Sequence, residues 1–469
     1  MHREFIKTAK SNPNNVAIDI KNKEITYRQL TEYVNRLADA FISFGINSST
    51  PVGVVLSNTT LNVISILALS SIKAKIMLFQ PKMTAKECQD ISQFSPHYII
   101  FDNNKFFVKD GTISLKGFSD VHLSCFSNYE IKENINELQG DIIFFSSGST
   151  GKPKGIMKTN EQIFIEAEQV ISTLGIQESD TILCAAQLCH AYGFMFGMII
   201  PLMKGCKITY VNPIVLVSDL ERLLKNNTIF VGLPIHYQLL YKYKKRNFGN
   251  IKISLVAGSS MTKEEKKMIE ALNLPMNNIY GMSETGALLV ENIKEHAKDL
   301  YTYPYRPIEG VKIKLDYAKS YNFEDQLAYE LLVKTNSLCS YVIDGNNIKK
   351  FSHDKWFPTG DLVVKNEKGF HIVGRKDLTI NVSGKKVNPF EIESVLKEHP
   401  SINEVVVLGI PDNKRGEIPI AFITINSEIS IDDLFALCRE KLSSYKVPRH
   451  IEIKKVLPTS IMGKVLRKF

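Results

Sequence analysis

A short apolar strand that runs straight into a polar loop sets the first limit on the architecture of this 469-residue chain. Residues 142–145 read IIFF, as in a buried strand, and residues 146–155 read SSGSTGKPKG. Glycines allow close backbone approach, hydroxyls donate hydrogen bonds and lysines balance charge, as a polyphosphate requires. The loop is not of the Walker type, because Pro153 stands where Ser or Thr is needed. We therefore expect a phosphate-binding loop rather than a merely flexible surface turn.

Strand-like and helix-like segments alternate along most of the chain, which predicts an α/β fold. Thr26 and Gln29 form a capping box at the start of one helix. The apolar positions of that helix lie on one face: Leu30, Val34, Leu37, Ala38 and Phe41. Residues 52–56 (VGVVL) read as a buried strand, whereas residues 110–135 are polar and show no pattern.

The C-terminal residues predict a separate small unit. Asn388-Pro389 is a helix start, with Asn as the cap and Pro in the first turn. Residues 405–408 and 420–423 read as strands, and a further helix is expected over 430–444. Helix, strand, strand and helix within roughly ninety residues indicate a compact α+β domain.

Composition excludes several classes of protein. With 44% hydrophobic and 23% charged residues the chain is neither disordered nor fibrous, and its net charge is +9. Seven of the basic residues, against one acidic residue, lie from Lys446 onward. This positive charge makes a nucleic-acid-binding protein an alternative. Against it, no nucleic-acid module is recognisable, and aromatic residues are not interleaved with the basic tail.

The cysteines and the apolar segments indicate in which cell compartment the protein is expected. The seven cysteines show no C-x-x-C spacing, so neither a disulfide framework nor a zinc site is expected. The start of the chain lacks the apolar region of a signal peptide, and the apolar run 192–203 is too short to cross a bilayer. We expect a cytoplasmic protein without a transmembrane segment.

Five motifs in order make a family resemblance plain. The loop at 146–155 resembles the signature loop of the adenylate-forming superfamily, which includes acyl- and aryl-CoA synthetases, peptide-synthetase adenylation domains and firefly luciferase. The other motifs resemble the family's Y-G-x-[ST]-E, T-G-D, hinge and terminal lysine motifs, and they are NIYGMSET (278–285), WFPTGD (356–361), GRKD with VSGKKV (374–377 and 382–387) and PTSIMGKVLR (458–467). Together they span residues 145–467.

The resemblance implies both an architecture and a reaction. It implies a large α/β N-terminal domain of several subdomains with mixed sheets and helices (1–374), a hinge at Asp377 and a small mobile α+β lid domain (375–469). A carboxylate attacks the α-phosphate of ATP to give an acyl-adenylate and pyrophosphate. A thiol then displaces AMP to give a thioester.

The resemblance also implies roles for single residues on the nucleotide side. The residues of the signature loop that would hold the phosphates are Ser147, Ser149, Thr150 and Lys154. Glu284 would bind Mg²⁺ and Ser283 would donate to the α-phosphate. Tyr280 would stack on adenine, and Asp361 would accept from the ribose hydroxyls beside Arg375.

Two further residues belong to the moving parts that the resemblance implies. Lys464 would bridge the attacking carboxylate and the α-phosphate, offsetting their repulsion as the bond forms. Gly384 would let the backbone approach the pantetheine arm during thioester formation. The alternative is that Lys464 has no catalytic role and is one of several solvated lysines in the basic tail.

The acyl pocket is expected from four segments, 190–194, 232–234, 257–259 (with Gly258) and 281–282, which are mostly apolar. Relatives that activate amino acids place an Asp in the first segment, whereas this chain has His190, either a gate or a packed histidine. The expected substrate is a fatty or aromatic acid.

CoA is the expected thiol, because no carrier module is fused to the chain. A stand-alone enzyme that loads a carrier-protein phosphopantetheine is the alternative. A luciferase-like oxidation shares the first half-reaction and is a further alternative. The retention of Lys154, Glu284, Asp361, Arg375 and Lys464 argues against a nucleotide-binding scaffold without turnover.

Overall fold

The structure is a computed structural model that describes the chain except for residues 21–22, 49, 58, 82–93, 95, 103–106, 108, 115–119, 126–137, 148–152, 213–215, 245–247, 258–262, 294–303, 324–325, 346, 368, 384, 413, 459–466 and 468–469. Its helices are α1 (His2–Ser11), α2 (Tyr27–Ser43), α3 (Thr59–Ser71), α4 (Asn160–Leu174), α5 (Ala191–Phe194), α6 (Ile200–Lys204), α7 (Val217–Leu224), α8 (Pro234–Lys242), α9 (Lys263–Leu272), α10 (Pro389–Lys397) and α11 (Ile431–Lys441). A π-helix, Met195–Ile199, joins α5 to α6, and a 3₁₀-helix covers Lys376–Leu378.

The strands are β1 (Val16–Ile20), β2 (Lys23–Thr26), β3 (Pro51–Val55), β4 (Lys75–Leu78), β5 (Tyr98–Phe101), β6 (Gly111–Ile113), β7 (Val121–Cys125), β8 (Ile142–Ser147), β9 (Pro153–Lys158), β10 (Thr181–Cys184), β11 (Lys207–Tyr210), β12 (Ile229–Val231), β13 (Ile253–Ala257), β14 (Met276–Met282), β15 (Gly286–Ile293), β16 (Tyr305–Pro307), β17 (Lys312–Phe323), β18 (Gln326–Lys334), β19 (Tyr341–Asp344), β20 (Asn347–Lys350), β21 (Phe357–Asn366), β22 (Gly369–Arg375), β23 (Ile380–Val382), β24 (Lys385–Val387), β25 (Ile402–Asp412), β26 (Gly416–Ile425) and β27 (His450–Ile453).

The described strands form three sheets. The largest has the order β17-β18-β21-β22-β16-β15-β14-β13-β12-β10-β11-β1-β2, and its middle, from β11 to β14, is parallel. The second has the order β20-β19-β9-β8-β4-β3-β5-β7-β6, with β8, β4, β3 and β5 parallel. The third is β24-β23-β26-β25, with β27 beside β26. These mixed sheets confirm the predicted α/β class, with a large N-terminal part and a smaller C-terminal part.

Local sequence signals account for the elements near the start of the chain. The side chain of Thr26 accepts from the backbone N–H of Gln29, and Gln29 reaches back, so the predicted capping box is present. All five predicted apolar positions of α2 are buried. Residues 110–135 show no sequence pattern, yet their described part contains β6, which pairs with β7, and β7, which also pairs with β5. The strands are short, and their partners supply what the local pattern lacks.

The C-terminal sheet has an apolar cluster of its own. Ile392 and Leu396 of α10 and Leu434 of α11 pack with buried residues of β23, β25, β26 and β27. The side chain of Asn388 accepts from the N–H of Phe390 at 3.0 Å, which confirms the predicted cap. The predicted strands and second helix are also present.

No helix among the described residues combines the length and the hydrophobicity needed to cross a bilayer. The apolar run 192–203 folds into the continuous helical segment of α5, the π-helix and α6.

A buried ion pair inside the C-terminal unit gives a stability prediction. Lys446 lies 2.5 Å from Glu391 of α10, and each side chain is only 6% exposed. Removing one partner of a buried pair costs about 3–5 kcal/mol, so we expect Lys446→Met to lower the free energy of unfolding by that amount. Lys454→Met is the control, because its pair with Glu452 is far more exposed and is worth about 0.5 kcal/mol. Equal losses for the two variants, measured by urea unfolding, would contradict the prediction.

Candidate active site

Asp361 is the centre of a hydrogen-bonded group that joins three motifs. β21 and β22 pair with Asp361 opposite Arg375, and Arg375 Nη1 donates to Asp361 Oδ1 at 3.1 Å. The Tyr280 hydroxyl, from β14, donates to the other oxygen of Asp361. Burial, and then the nearby carboxylate, raise the pKa of Tyr280 well above its ordinary value, so its hydroxyl stays protonated. The structure therefore brings these three predicted residues together.

A carboxylate that the sequence analysis missed supports this group. Glu330 lies in β18, where Oε1 accepts from the backbone N–H of Gly360 at 3.2 Å. Its Oε2 accepts from Lys376 at 2.6 Å. Glu330 thus connects the T-G-D motif of β21 to Lys376, next to the predicted hinge at Asp377. Nothing in the local sequence of β18 singles it out.

Glu284 lies in the turn between β14 and β15, and its backbone is held from outside the hairpin. The carbonyl of Glu284 accepts from the N–H of Cys339 at 2.7 Å, and the carbonyl of Thr285 accepts from Ser337 Oγ at 2.7 Å. Ser283 lies in the same turn, partly exposed. These bonds fix the turn beside β9 of the second sheet, since Ser340 N donates to the carbonyl of Met157.

Burial and nearby positive charges have opposite effects on the Glu284 carboxylate. Burial raises the pKa of Glu284, while Arg375, Lys158 and Lys154 act in the opposite direction. The described residues contain no group of three or more His, Cys, Asp or Glu that could hold a metal ion by themselves. Mg²⁺ is normally bound through one or two carboxylates together with substrate phosphates and water. A single partly buried carboxylate such as Glu284 is compatible with that pattern.

Lys154 belongs to the signature loop, lies near the start of β9 and already has a partner in the structure. Its Nζ lies 2.9 Å from Asp344 of β19, and both side chains remain about one third exposed. β8 and β9 form an antiparallel hairpin in which Ser147 pairs with Pro153. The residues on either side of the undescribed segment 148–152 therefore lie opposite each other in the second sheet. The side chain of Ser147 and the predicted residues Ser149 and Thr150 lie outside the described residues.

Three other predicted residues, Gly258, Gly384 and Lys464, also lie outside the described residues. Arg467, close to Lys464 in the chain, is described and is attached to the C-terminal unit. It donates to Glu393 at 2.7 Å and to the carbonyl of Val407 at 3.1 Å, and its guanidinium lies 4.1 Å from the Phe390 ring centroid. The terminal motif is therefore joined to α10 and β25 at this point.

Two of the segments predicted to form the acyl pocket meet at α5. The Tyr192 hydroxyl donates to the carbonyl of Gly232 at 3.1 Å, which brings two of the four predicted segments together. A Cβ at Gly193 would lie 2.1 Å from the carbonyl of Gln187, so only glycine fits that position. His190 is the residue before α5, and its Nε2 is buried without a hydrogen-bond partner among the described residues. Burial lowers the pKa of this imidazole.

The lowered pKa of His190 predicts a pH effect on stability. In the unfolded chain the His190 imidazole has its ordinary pKa, near 6.5, whereas burial lowers the pKa in the folded chain. Below pH 6.5 the unfolded chain therefore binds a proton that the folded chain does not, and the free energy of unfolding falls as the pH falls. We expect His190→Gln to reduce the loss of unfolding free energy between pH 7.5 and 5.5 by about 1 kcal/mol. Urea unfolding at both pH values measures this. His353→Gln, which removes an exposed imidazole, is the control, and an identical pH response of the two variants would contradict the prediction.

Comparisons with known proteins agree with this geometry. The family model described as "AMP-binding enzyme" matches residues 5–336, and that described as "AMP-binding enzyme C-terminal domain" matches residues 391–464. A 2-succinylbenzoate–CoA ligase of Listeria monocytogenes serovar 1/2a is 27% identical over 474 residues, covering 98% of this chain and 97% of the relative. A protein of the same name from Bacillus licheniformis is 25% identical over 482 residues, covering 99% and 98%.

Solved structures share the fold. The o-succinylbenzoate CoA synthetase (MenE) of Bacillus subtilis, in complex with its acyl-adenylate intermediate, has a TM-score of 0.82 at 20% identity, covering 99% of this chain and 96% of that one. ATP-bound MatB from Rhodopseudomonas palustris has a TM-score of 0.82 at 18% identity, covering 99% and 97%.

These findings confirm the predicted resemblance, the fold class and the class of enzyme, an AMP-forming acid–thiol ligase. The expected ligands occur in the names of similar proteins: CoA in that of the Listeria monocytogenes ligase, and ATP with a magnesium ion in that of another Bacillus subtilis MenE structure. Because a single family model covers 5–336, well over half of its length, the chain belongs to the family of AMP-binding enzymes.

Proposed function

We propose that this enzyme activates 2-succinylbenzoate, an aromatic acid, through its acyl-adenylate and transfers the acyl group to CoA. The observation that carries the proposal is the similarity, over almost the whole chain, to relatives named 2-succinylbenzoate–CoA ligase. The acyl side of the site is compatible with it. Its described segments are apolar, and His190 supplies a buried nitrogen that can hydrogen-bond to an oxygen of such an acid.

The nucleotide side would work by orientation and charge. Asp361 would accept from the ribose hydroxyls while Tyr280 and Arg375 keep its carboxylate in place. Tyr280 would also face adenine. Ser283, one position before Glu284, would donate to the α-phosphate. Transfer to a phosphorus centre requires alignment and charge neutralisation more than covalent help, and these side chains supply both.

The phosphate side would combine the signature loop with Glu284. The loop residues proposed to hold the β- and γ-phosphates are Ser147, Ser149, Thr150 and Lys154. In doing so Lys154 would exchange Asp344 for phosphate oxygens. Glu284 would be the protein ligand of Mg²⁺, which, when bound, neutralises phosphate oxygens of ATP.

The domain boundary and the lid remain part of the proposal. We place the boundary between residues 374 and 375, with the hinge at Asp377. β22 ends at Arg375 within the largest sheet, and the apolar cluster of the C-terminal unit begins at Ile380. Rotation there would exchange Lys464, used for adenylation, for Gly384 and its loop, used for thioester formation. Gly258 would line the pocket between acid and nucleotide.

The proposed location is the cytoplasm. Five buried cysteines are free thiols in the structure, namely Cys184, Cys189, Cys206, Cys339 and Cys438. Proteins of oxidising compartments more often pair their cysteines.

Acid-dependent pyrophosphate release tests the proposal. The enzyme is incubated with ATP, Mg²⁺ and one of 2-succinylbenzoate, benzoate, succinate, octanoate or an amino acid, each with and without CoA. We expect release with 2-succinylbenzoate far above that with the other acids, and a CoA thioester as the product. Pyrophosphate release with octanoate and with none of the other acids would reject an aromatic acid as the substrate. Release with 2-succinylbenzoate but no thioester would favour a carrier protein as the acceptor.

A further inference from the structure

We propose that the buried ion pair Lys158–Glu166 is a positioning device, which holds the turn that carries Glu284 so that its carboxylate can receive Mg²⁺ with ATP. The inference rests on the role proposed above for Glu284. It assigns two residues that none of the five sequence motifs singled out as part of the site.

The pair is deeply buried and joins two elements. Lys158 ends β9, Glu166 lies in α4, and their side chains are 2% and 6% exposed with Nζ 2.8 Å from Oε2. The start of α4 is itself fixed by a capping box between Thr159 and Gln162. Burying two charges is costly, and an apolar pair of similar volume is often at least as stabilising. A contribution to the stability of the fold is therefore, by itself, a weak explanation for the presence of this ion pair.

The second oxygen of Glu166 points to the turn. Glu166 Oε1 accepts from the backbone N–H of Ala287 at 3.1 Å, across 121 residues of sequence. Gly286, the residue before it, has a φ of +78°, and a Cβ there would lie 2.1 Å from the Glu166 carboxylate. The carboxylate and the backbone of the turn are thus in direct contact, with room only for glycine.

The same turn is bound from its other side. The carbonyls of Glu284 and Thr285 accept hydrogen bonds from Cys339 and Ser337, each at 2.7 Å. Glu166 therefore supplies the contact on one flank of Glu284, and the 337–339 segment supplies the contacts on the other. Lys158 has a further effect, since its positive charge is among those that act on the Glu284 carboxylate.

Two matched double variants separate positioning from charge. Lys158→Met with Glu166→Gln removes both charges but keeps a side-chain oxygen that can accept from Ala287. Lys158→Met with Glu166→Leu removes both charges and the acceptor. Both avoid an uncompensated buried charge, the most destabilising change at such a site. Thermal unfolding of the full chain verifies that each variant is folded.

The readout is the affinity for α,β-methylene-ATP, measured by calorimetry with and without Mg²⁺. We expect Mg²⁺ to tighten binding in the wild type and in the Gln variant. In the Leu variant we expect that gain to fall about tenfold or more, as for other residues that orient a metal ligand. Affinity without Mg²⁺ should change little in either variant. A merely structural role would instead lower the unfolding temperature and leave the Mg²⁺ gain alike in both.

Equal Mg²⁺ gains in the Gln and Leu variants would overturn the inference. Glu284→Gln separates this failure from that of the proposed function. If Glu284→Gln loses the gain while the two double variants behave alike, only the positioning role is wrong. If Glu284→Gln keeps the gain, the proposed metal role of Glu284 is wrong and the inference falls with it. Gly286→Ala displaces the Glu166 carboxylate without removing a charge, and it provides the same test should the Leu variant not fold.

Discussion

Lys464→Ala should stop acyl-adenylate formation while leaving thioester formation from supplied acyl-adenylate nearly unchanged. A single ammonium between the attacking carboxylate and the α-phosphate acts only while the first bond forms. Removing such a group costs about 10²–10³-fold in rate. Arg467, attached to Glu393 and Val407, joins the motif that contains Lys464 to the C-terminal unit, which agrees with delivery of Lys464 by a moving lid.

The two half-reactions are measured separately, as pyrophosphate release and as CoA thioester formed from the synthetic acyl-adenylate. Lys455→Ala is the matched control, because Lys455 is an exposed lysine of the same basic tail. If the tail acts only through its general charge, the two variants will lose similar activity. Equal loss of both half-reactions in Lys464→Ala would reject the assignment.

Asp361→Asn should lower the efficiency of adenylation with ATP about 10²–10⁴-fold. Asp361 is proposed to accept from two ribose hydroxyls, and hydrogen bonds to a charged group are worth about 1.5–3 kcal/mol each. The substitution also removes the charge that Arg375 faces at 3.1 Å and disturbs the acceptor of the Tyr280 hydroxyl. The expected signature is a raised KM for ATP together with a lower kcat.

Glu367→Gln is the control for that measurement, because Glu367 is an exposed carboxylate at the far end of the β21–β22 hairpin. We expect it to leave both constants unchanged. A KM for ATP in Asp361→Asn equal to that of the wild type would contradict the ribose-binding role.

Contiguous signals in the sequence were enough for a large part of the fold. The capping box at Thr26, the buried face of α2, the strand at 142–145 and the cap at Asn388 all depend on residues within a turn or two of each other. β6 and β7 could not be predicted in the same way. Their stability comes from pairing with neighbouring strands rather than from their own alternation.

Some residues of the candidate site were likewise predictable from local sequence, and others were not. Tyr280, Glu284, Asp361 and Arg375 lie in motifs, and hydrogen bonds join three of them, Tyr280, Asp361 and Arg375. Glu330, Asp344 and the Lys158–Glu166 pair do not stand out locally, because each is a charged residue within an ordinary strand or helix.

The order of motifs along this sequence was sufficient to identify the family, since each motif is a short run of contiguous residues that resembles a family motif. Tertiary structure alone decided how those groups are held. The hydrogen bonds that Tyr280 donates to Asp361 and that the Ala287 N–H donates to Glu166 cross 81 and 121 residues. A buried charge is tolerated only where folding brings its partner within hydrogen-bond distance, and that partner cannot be identified from either segment taken alone.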